Sequence, residues 1–252
     1  MDDKGEFHWS VIRSPDQVLP RAAREVPRMI ESLAELPVLS EIVRIPSPAP
    51  KPQSLAHSGE RLWLGSWETA HVYGIDPKQG RVFEEIAAPG KPVSSTCVGE
   101  ELRFVCSENG EADNRFIRRF VPGHGFKTSE AWPCPDDTGS FLAYDGKRLW
   151  LTQRFRKRAL ELDAKCTEHR SVDIGEEIVG AAWVGEHLYL STWLGRDRGG
   201  CRIACIEAKV PGAKPRFVAQ SPFFAVSLAR DGDRLWTNDF KNDCIVAFAI
   251  PE

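Results

Sequence analysis

One nine-residue pattern occurs three times in this chain, at 55–63, 142–150 and 228–236. The three copies read LAHSGERLW, LAYDGKRLW and LARDGDRLW. Two more divergent copies surround Gly99 and Gly185, and the leucine that follows each turn recurs at intervals of 39 to 47 residues. A repeat of this length is typical of chains in which every copy forms one supersecondary unit. The sequence therefore predicts five copies of one structural unit.

Each copy has the pattern of an antiparallel β-sheet. A short apolar stretch leads into a turn such as Ser58-Gly59, where glycine allows the positive φ of a tight hairpin. An alternating stretch such as RLWLGSW follows, with the period of two that a strand requires. Two further strand-like stretches complete most copies. Five four-stranded units arranged around an axis predict an all-β, five-bladed β-propeller.

The last copy ends after the third strand-like stretch, CIVAFAI, so it lacks a fourth strand. The stretch SEIVRIPSP, before the first copy, is of suitable length to supply it. We expect this N-terminal strand to pair with Ile245–Ile250 and close the ring, which removes an open sheet edge. The propeller is predicted to occupy residues 38–252. Residues 1–37 are predicted to form a short N-terminal extension that is partly helical, interrupted by Pro20 and Pro27.

Composition excludes several classes of partner. Lys and Arg number 33 against 36 Asp and Glu, so the formal charge of −3 does not favour nucleic acid. The sequence lacks the roughly 20 consecutive apolar residues that a membrane helix needs, so no membrane partner is expected. The cysteines number 7, which is odd, and none lies in a CxxC pair. Reduced thiols and a cytoplasmic location are the simpler expectation.

The strand order places the loops after the second strands on one face of the ring, together with the connections between blades. We call this the loop face, and variable loops on a rigid scaffold are where sites are usually found. Its hard oxygen donors are Glu68, Glu108, Asn109, Glu111, Asp113, Asn238 and Asp239. They could bind calcium or a similar divalent cation, with Glu108, Asn109 and Asp239 as ligands. Alternatively, these acidic loops are simply solvated.

A basic run on the loop face comprises Arg154, Arg156, Lys157 and Arg158. Arginine binds carboxylate or phosphate through paired hydrogen bonds, which predicts an anionic small-molecule site. The alternative is that the acidic loop of the second copy neutralises this run.

Aromatic side chains also recur at the ends of the second strands. We predict that substrate is bound by Trp67, Arg154, Trp193 and Phe240. The candidate catalytic residues are Glu68, Glu108, Asp239 and His71. Of these, His71 is the one histidine that we expect to act as an acid or base.

The stretches LAYDGKRLWLT and LARDGDRLWTND resemble the small bacterial β-propellers. That group includes gluconolactonase-like, streptogramin-lyase-like and glutamine-cyclotransferase-like families. The resemblance covers roughly residues 50–252 and implies the architecture, with no site residue carried over. Among these families, the gluconolactonase-like proteins hold a divalent metal in the channel.

The sequence favours a small-molecule-binding propeller whose ligand is polar or anionic and lies at the mouth of the axial channel. Such a protein could be a sensor or an enzyme, for example a metal-assisted hydrolase or lyase. The alternative is a non-catalytic propeller that binds a protein partner, because the fold alone does not define a function.

Overall fold

The computed structural model describes residues 36–108, 114–195 and 200–252. Within them the chain forms twenty β-strands in five four-stranded sheets. The strands are β1 (Glu41–Pro46), β2 (Pro52–Ser58), β3 (Arg61–Ser66), β4 (His71–Ile75), β5 (Val82–Ala87), β6 (Lys91–Val98), β7 (Glu101–Ser107), β8 (Arg115–Val121), β9 (Gly125–Pro133), β10 (Leu142–Tyr144), β11 (Leu149–Gln153), β12 (Arg158–Leu162), β13 (Glu168–Asp173), β14 (Ile178–Val184), β15 (His187–Trp193), β16 (Cys201–Ile206), β17 (Arg216–Ser221), β18 (Ala225–Asp231), β19 (Arg234–Asp239) and β20 (Cys244–Ala249). Pro135–Asp137 forms a short 3-10 turn between β9 and β10.

Each sheet is one blade of a five-bladed β-propeller, as the repeat predicts. Blade one contains β2 to β5, blade two β6 to β9, blade three β10 to β13 and blade four β14 to β17. Blade five has the order β1-β20-β19-β18, so its outer strand comes from the other end of the chain. All pairs within the sheets are antiparallel.

The predicted closure of the ring is confirmed. In the pairing of β1 with β20, which we call the seam, Ile45 lies opposite Ile245 and Arg44 opposite Val246. A register shift between Glu41 and Val43 leaves Ile42 exposed. The seam joins both ends of the repeat region in one sheet, so blade five has its full set of four strands.

The segment just before β1 also contacts blade four, which the sequence did not predict. Val38 forms a parallel bridge with Gln220 in β17. The backbone N–H of Leu39 donates to the carbonyl of Gln220 at 2.9 Å, and the N–H of Gln220 donates to the carbonyl of Pro37 at 2.8 Å. The same stretch of chain therefore ties blade four to blade five before it enters the seam.

The core lies between neighbouring blades. Trp63, Trp150 and Trp236, which follow the repeated leucines, are each at most 1% exposed. Trp236 packs with Leu55 and other blade-one residues, so the side chain that ends the repeated pattern fills the wedge between two sheets. Outer strands such as β5 alternate between exposed and half-buried residues, as expected for strands with one face in solvent.

The predicted N-terminal extension falls on residues 1–37, of which the first 35 lie outside the described part of the chain, so its helices stay a prediction. In the part of the chain that is described, no helix is long and apolar enough to cross a membrane.

Candidate functional site

Three of the four predicted substrate-binding residues are linked by ring contacts on the loop face. The Arg154 guanidinium lies 5.0 Å from the centre of the Trp193 ring. Trp193 meets Phe224 at 6.2 Å, Phe224 meets Phe240 at 6.1 Å, and both contacts are edge-to-face. The Lys51 ammonium lies 5.3 Å from the Phe240 ring. We call these five residues, which span blades three to five and the connection to blade one, the aromatic arc.

The arc follows from the ends of the strands. Arg154, Trp193 and Phe240 occupy equivalent positions, five residues after the repeated leucines of their blades. Each side chain therefore reaches towards the connection that enters the next blade, where Phe224 and Lys51 lie. The three rings are half-buried, so the arc presents aromatic surface that is accessible to a ligand.

Arg154 is the most enclosed charge of the arc, with 19% of its side chain exposed. Its Nε donates to Oε2 of Glu177 at 3.2 Å, and Nη2 lies 3.2 Å from the same oxygen. The ring of Phe155, the next residue in the chain, lies 5.2 Å from the same guanidinium. Burial lowers the pKa of Arg154, and Glu177 opposes that shift by favouring the charged form.

The buried Cys201 thiol lies near two cations, Arg154 and Lys241. Burial raises the pKa of the Cys201 thiol to about 11, while hydrogen bonds with Ser191 and Ala225 and the charges of Arg154 and Lys241 act in the opposite direction. Two cations thus lie within electrostatic range of one buried thiol. A thiol with a raised pKa is a poor nucleophile at neutral pH, so Cys201 is not a candidate nucleophile.

Asp239 is placed at the seam rather than in the arc. Its side chain is 1% exposed, and Oδ2 accepts hydrogen bonds from Arg44 at 3.0 Å and from Asn242 at 2.8 Å. Arg44 also pairs with Glu41 on the seam strand. Oδ1 of Asp239 is buried without a hydrogen-bond partner among the described residues. The carboxylate predicted to be catalytic or metal-binding therefore anchors the closing strand.

Glu108 pairs with an arginine of its own blade. Its two oxygens accept from Nε and Nη2 of Arg118 at 2.7 and 2.9 Å, a geometry that uses both carboxylate oxygens. Asn109, the third predicted metal ligand, lies outside the described residues. The described residues hold no cluster of three or more His, Cys, Asp or Glu suited to a metal. Glu108 and Asp239 each pair with an arginine and are not brought together with a third ligand in the described residues. The divalent-cation site predicted at these positions stays a prediction.

The remaining candidates lie in blade one. The backbone N–H of Trp67 donates to the carbonyl of Lys51 at 3.1 Å, but no side-chain hydrogen bond or ring contact joins these candidates to the arc within the described residues. Trp67 has the ammonium of Lys91 4.9 Å from its ring, and Glu68 is exposed. The Nδ1–H of His71 donates to the carbonyl of Thr69 at 2.7 Å, which leaves Nε2 as an acceptor. The structure therefore brings together Arg154, Trp193 and Phe240 but neither His71 nor Glu68.

Two arginines of the basic run pair with a blade connection. Asp136 accepts from Arg156 at 2.5 Å and from Arg158 at 2.8 Å. The buried Gln153 side chain donates to the carbonyls of Pro135 and Thr138 and accepts from Arg158. This arrangement borders a cleft of about 590 Å³ between blades two and three, next to Phe155. The predicted partner of the basic run, the acidic loop of the second copy, lies mostly outside the described residues, so that pairing stays a prediction.

Sequence reasoning missed Phe224, Glu177 and Arg44. Phe224 lies in the connection AQSPFF, where two adjacent aromatic residues after a proline were the available signal. Glu177 is fixed through its backbone carbonyl, which accepts from the Trp193 N–H at 2.9 Å. Nothing in the repeat indicates that Phe224 contacts Trp193 and Phe240 or that Glu177 contacts Arg154, since these contacts join residues of different repeats.

No family model matches the sequence, and neither does any curated protein. Among solved structures, glutaminyl cyclase from Myxococcus xanthus is 10% identical with a TM-score of 0.64, over 85% of this chain and 97% of that one. The PQQ-bound aldose sugar dehydrogenase from Streptomyces coelicolor is 15% identical with a TM-score of 0.55, over 84% and 81%. The calcium-binding protein regucalcin from Agrobacterium tumefaciens is 10% identical with a TM-score of 0.53, over 85% and 96%. At these identities the similarity shows the β-propeller fold of this chain.

Proposed function

We propose that this propeller binds a small polar or anionic molecule on its loop face, against the aromatic arc. The observation that carries the proposal is the half-buried Arg154 guanidinium, which lies against the Trp193 ring at the head of three linked aromatic rings. Cations next to aromatic surface bind ligands that carry both a negative group and a flat or apolar body. Ligand sites in general combine apolar walls with a few polar groups.

We further propose that the bound molecule is a substrate and that the protein is an enzyme. The structures with a similar fold include a cyclase and a dehydrogenase, and a hydrolase or lyase remains our candidate class. A divalent cation would fit such chemistry, and regucalcin is described as calcium-binding. The seven cysteines are free thiols, which supports a reducing, cytoplasmic setting.

Binding can be tested with a library of small anions and neutral polar molecules, using tryptophan fluorescence and thermal unfolding as two readouts. We expect at least one compound to quench fluorescence and raise the melting temperature of the wild-type protein. Trp193→Ala and Phe240→Ala should each weaken that compound at least tenfold, with the fold checked by circular dichroism. Trp132→Ala, a half-buried tryptophan of β9 that packs on the core between blades two and three, is the matched control and should retain the affinity. If both arc variants bind as well as the wild type, the site is wrong.

A second candidate function is protein binding, and one observation favours it. Phe155 is 70% exposed on the loop face, next to the exposed Arg156. Exposed aromatic and arginine side chains are enriched in protein interfaces. If this candidate is correct, an affinity-tagged protein recovers one stoichiometric partner, Phe155→Ser abolishes the recovery, and the small-molecule library produces no hit.

A further inference from the structure

The ion pair of Arg154 with Glu177 has an incomplete geometry. The two donor contacts to the carboxylate, from Nε and Nη2, converge on Oε2 of Glu177 at 3.2 Å. The strong arginine–carboxylate arrangement instead uses two oxygens at shorter distances, as Arg118 and Glu108 do in blade two. Nη1 of Arg154 has no hydrogen bond within the described residues. Arg154 is therefore held by a weak partner and keeps donor capacity.

The backbones on both sides of this pair are fixed. The Arg154 N–H donates to Oγ of Ser140 at 3.1 Å, and the Glu177 carbonyl accepts from Trp193. The Glu177 side chain itself is 30% exposed, so it can rotate into solvent without any movement of a strand. Release of Glu177 alone would leave the half-buried Arg154 unpaired, so it is favourable only when another carboxylate takes its place.

The surroundings of Arg154 define what could replace Glu177. The rings of Trp193 and Phe155 lie 5.0 and 5.2 Å from the guanidinium, and Phe224 extends the aromatic surface beyond Trp193. A group that exchanges one-for-one with the Glu177 carboxylate carries a single negative charge and a planar acceptor. Its body then contacts aromatic rings, which favours an aromatic ring on the ligand.

We propose that the aromatic arc binds an aromatic monocarboxylate, whose carboxylate takes the place of Glu177 on Arg154 while its ring lies against Trp193. This inference rests on the proposed function, because it names the ligand class of the same site. In this arrangement Glu177 is an internal competitor that keeps the buried Arg154 paired in the free protein.

The test is calorimetric titration with benzoate, together with benzamide and cyclohexanecarboxylate as probes without the charge and without the aromatic ring. We expect measurable binding of benzoate, weaker binding of cyclohexanecarboxylate and none of benzamide. Glu177→Gln should tighten benzoate binding by about fivefold, since it removes the competing carboxylate. Arg154→Met should weaken it at least tenfold.

Glu176→Gln is the matched control, because Glu176 is the neighbouring carboxylate and pairs with Arg202 instead. It should leave benzoate affinity unchanged. If Glu177→Gln weakens binding or changes it no more than Glu176→Gln does, Glu177 is not the displaced group and the inference is overturned. If benzamide binds as tightly as benzoate, the ligand class is also wrong. The proposed function stands in either case when another library compound depends on Trp193 and Phe240, and fails when none does.

Discussion

The indole N–H of Trp236 donates a hydrogen bond of 3.0 Å to Oδ2 of Asp231. Trp150 repeats this contact with Asp145 at 3.3 Å. In each case the aspartate begins the Asp-Gly turn between the first two strands, and the tryptophan follows five residues later on the second strand. The repeated sequence therefore specifies both the hairpin and the polar partner of the ring that fills the space between blades.

Removing this partner should destabilise the fold. Asp231→Ala leaves a buried indole N–H without an acceptor, and we expect a loss of about 1–3 kcal/mol in the free energy of unfolding. Urea unfolding followed by circular dichroism measures it. Asp233→Ala removes the same charge from an exposed position of the same turn and should change stability by at most about 0.5 kcal/mol. Equal losses in the two variants would contradict the role of the Trp236 contact.

Glu101 should contribute a pH-dependent stabilisation. Hydrogen bonds from Arg119 lower the pKa of the Glu101 carboxyl from 4.5 to about 2, against the effect of burial and with help from Arg103. Because the pKa is lower in the folded protein, the stabilisation is complete above pH 4.5 and disappears as the pH falls towards 2. Glu101→Gln should therefore reduce stability at pH 6 by more than it does at pH 3.

Urea midpoints of the wild type and Glu101→Gln at pH 6, 4 and 3 test this dependence. Glu100→Gln is the control, because Glu100 is exposed and adjacent in sequence. A difference between wild type and Glu101→Gln that is constant over this range would show that the ion pairs with Arg119 and Arg103 do not act through ionisation.

Arg44 and Asp239 should behave as a coupled pair. Arg44→Met leaves the buried Asp239 carboxylate without its cation, which we expect to cost about 1.5–3 kcal/mol. The double variant Arg44→Met, Asp239→Asn should lose less than the sum of the two single variants, because it leaves no unpaired carboxylate in a buried position. Arg81→Met, at an exposed position, is the control for the loss of an arginine. Strictly additive losses in a double-mutant cycle would show that the seam does not depend on this pair.

The end of the chain after β20 should become more mobile when its hydrogen bond to blade four is removed. The Tyr189 hydroxyl donates to the carbonyl of Pro251 at 2.9 Å. Tyr189→Phe should cost about 1 kcal/mol and speed hydrogen exchange in β20 and at Ile250. Tyr144→Phe removes a hydroxyl from a half-buried position in blade three and should leave exchange in β20 unchanged. Identical exchange in Tyr189→Phe and the wild type would contradict the contact.

The sequence predicted the blades and the seam because local residue patterns define both of them. Turn glycines, alternating strands and the interval between leucines define each unit, and the missing strand of the last copy pointed to SEIVRIPSP. The bridge between Val38 and Gln220 was not predicted, because it is a backbone contact between a loop and the edge of another blade. Such contacts leave no periodic signal.

The candidate site was predicted only in part, for the same reason. Equivalence of position correctly suggested that Trp193 and Phe240 share a surface with Arg154. It could not show that Glu108 and Asp239 have arginine partners, since Arg118 and Arg44 belong to other strands. Both pairs lie within one blade, but the repeat specifies the strands and turns of a blade and not which side chains pair between its strands.

The seam also sets the order of events during synthesis. Arg44 and Asp239 are 195 residues apart, and the ring can close only after β20 has been made. Contacts between such distant residues slow folding. Until β20 emerges, β1 has no strand to pair with and the ring stays open, with unpaired strand edges on both sides of the gap. We expect its characteristic misfolded product to be a strand-exchanged dimer, in which each N-terminal strand completes the ring of the other molecule.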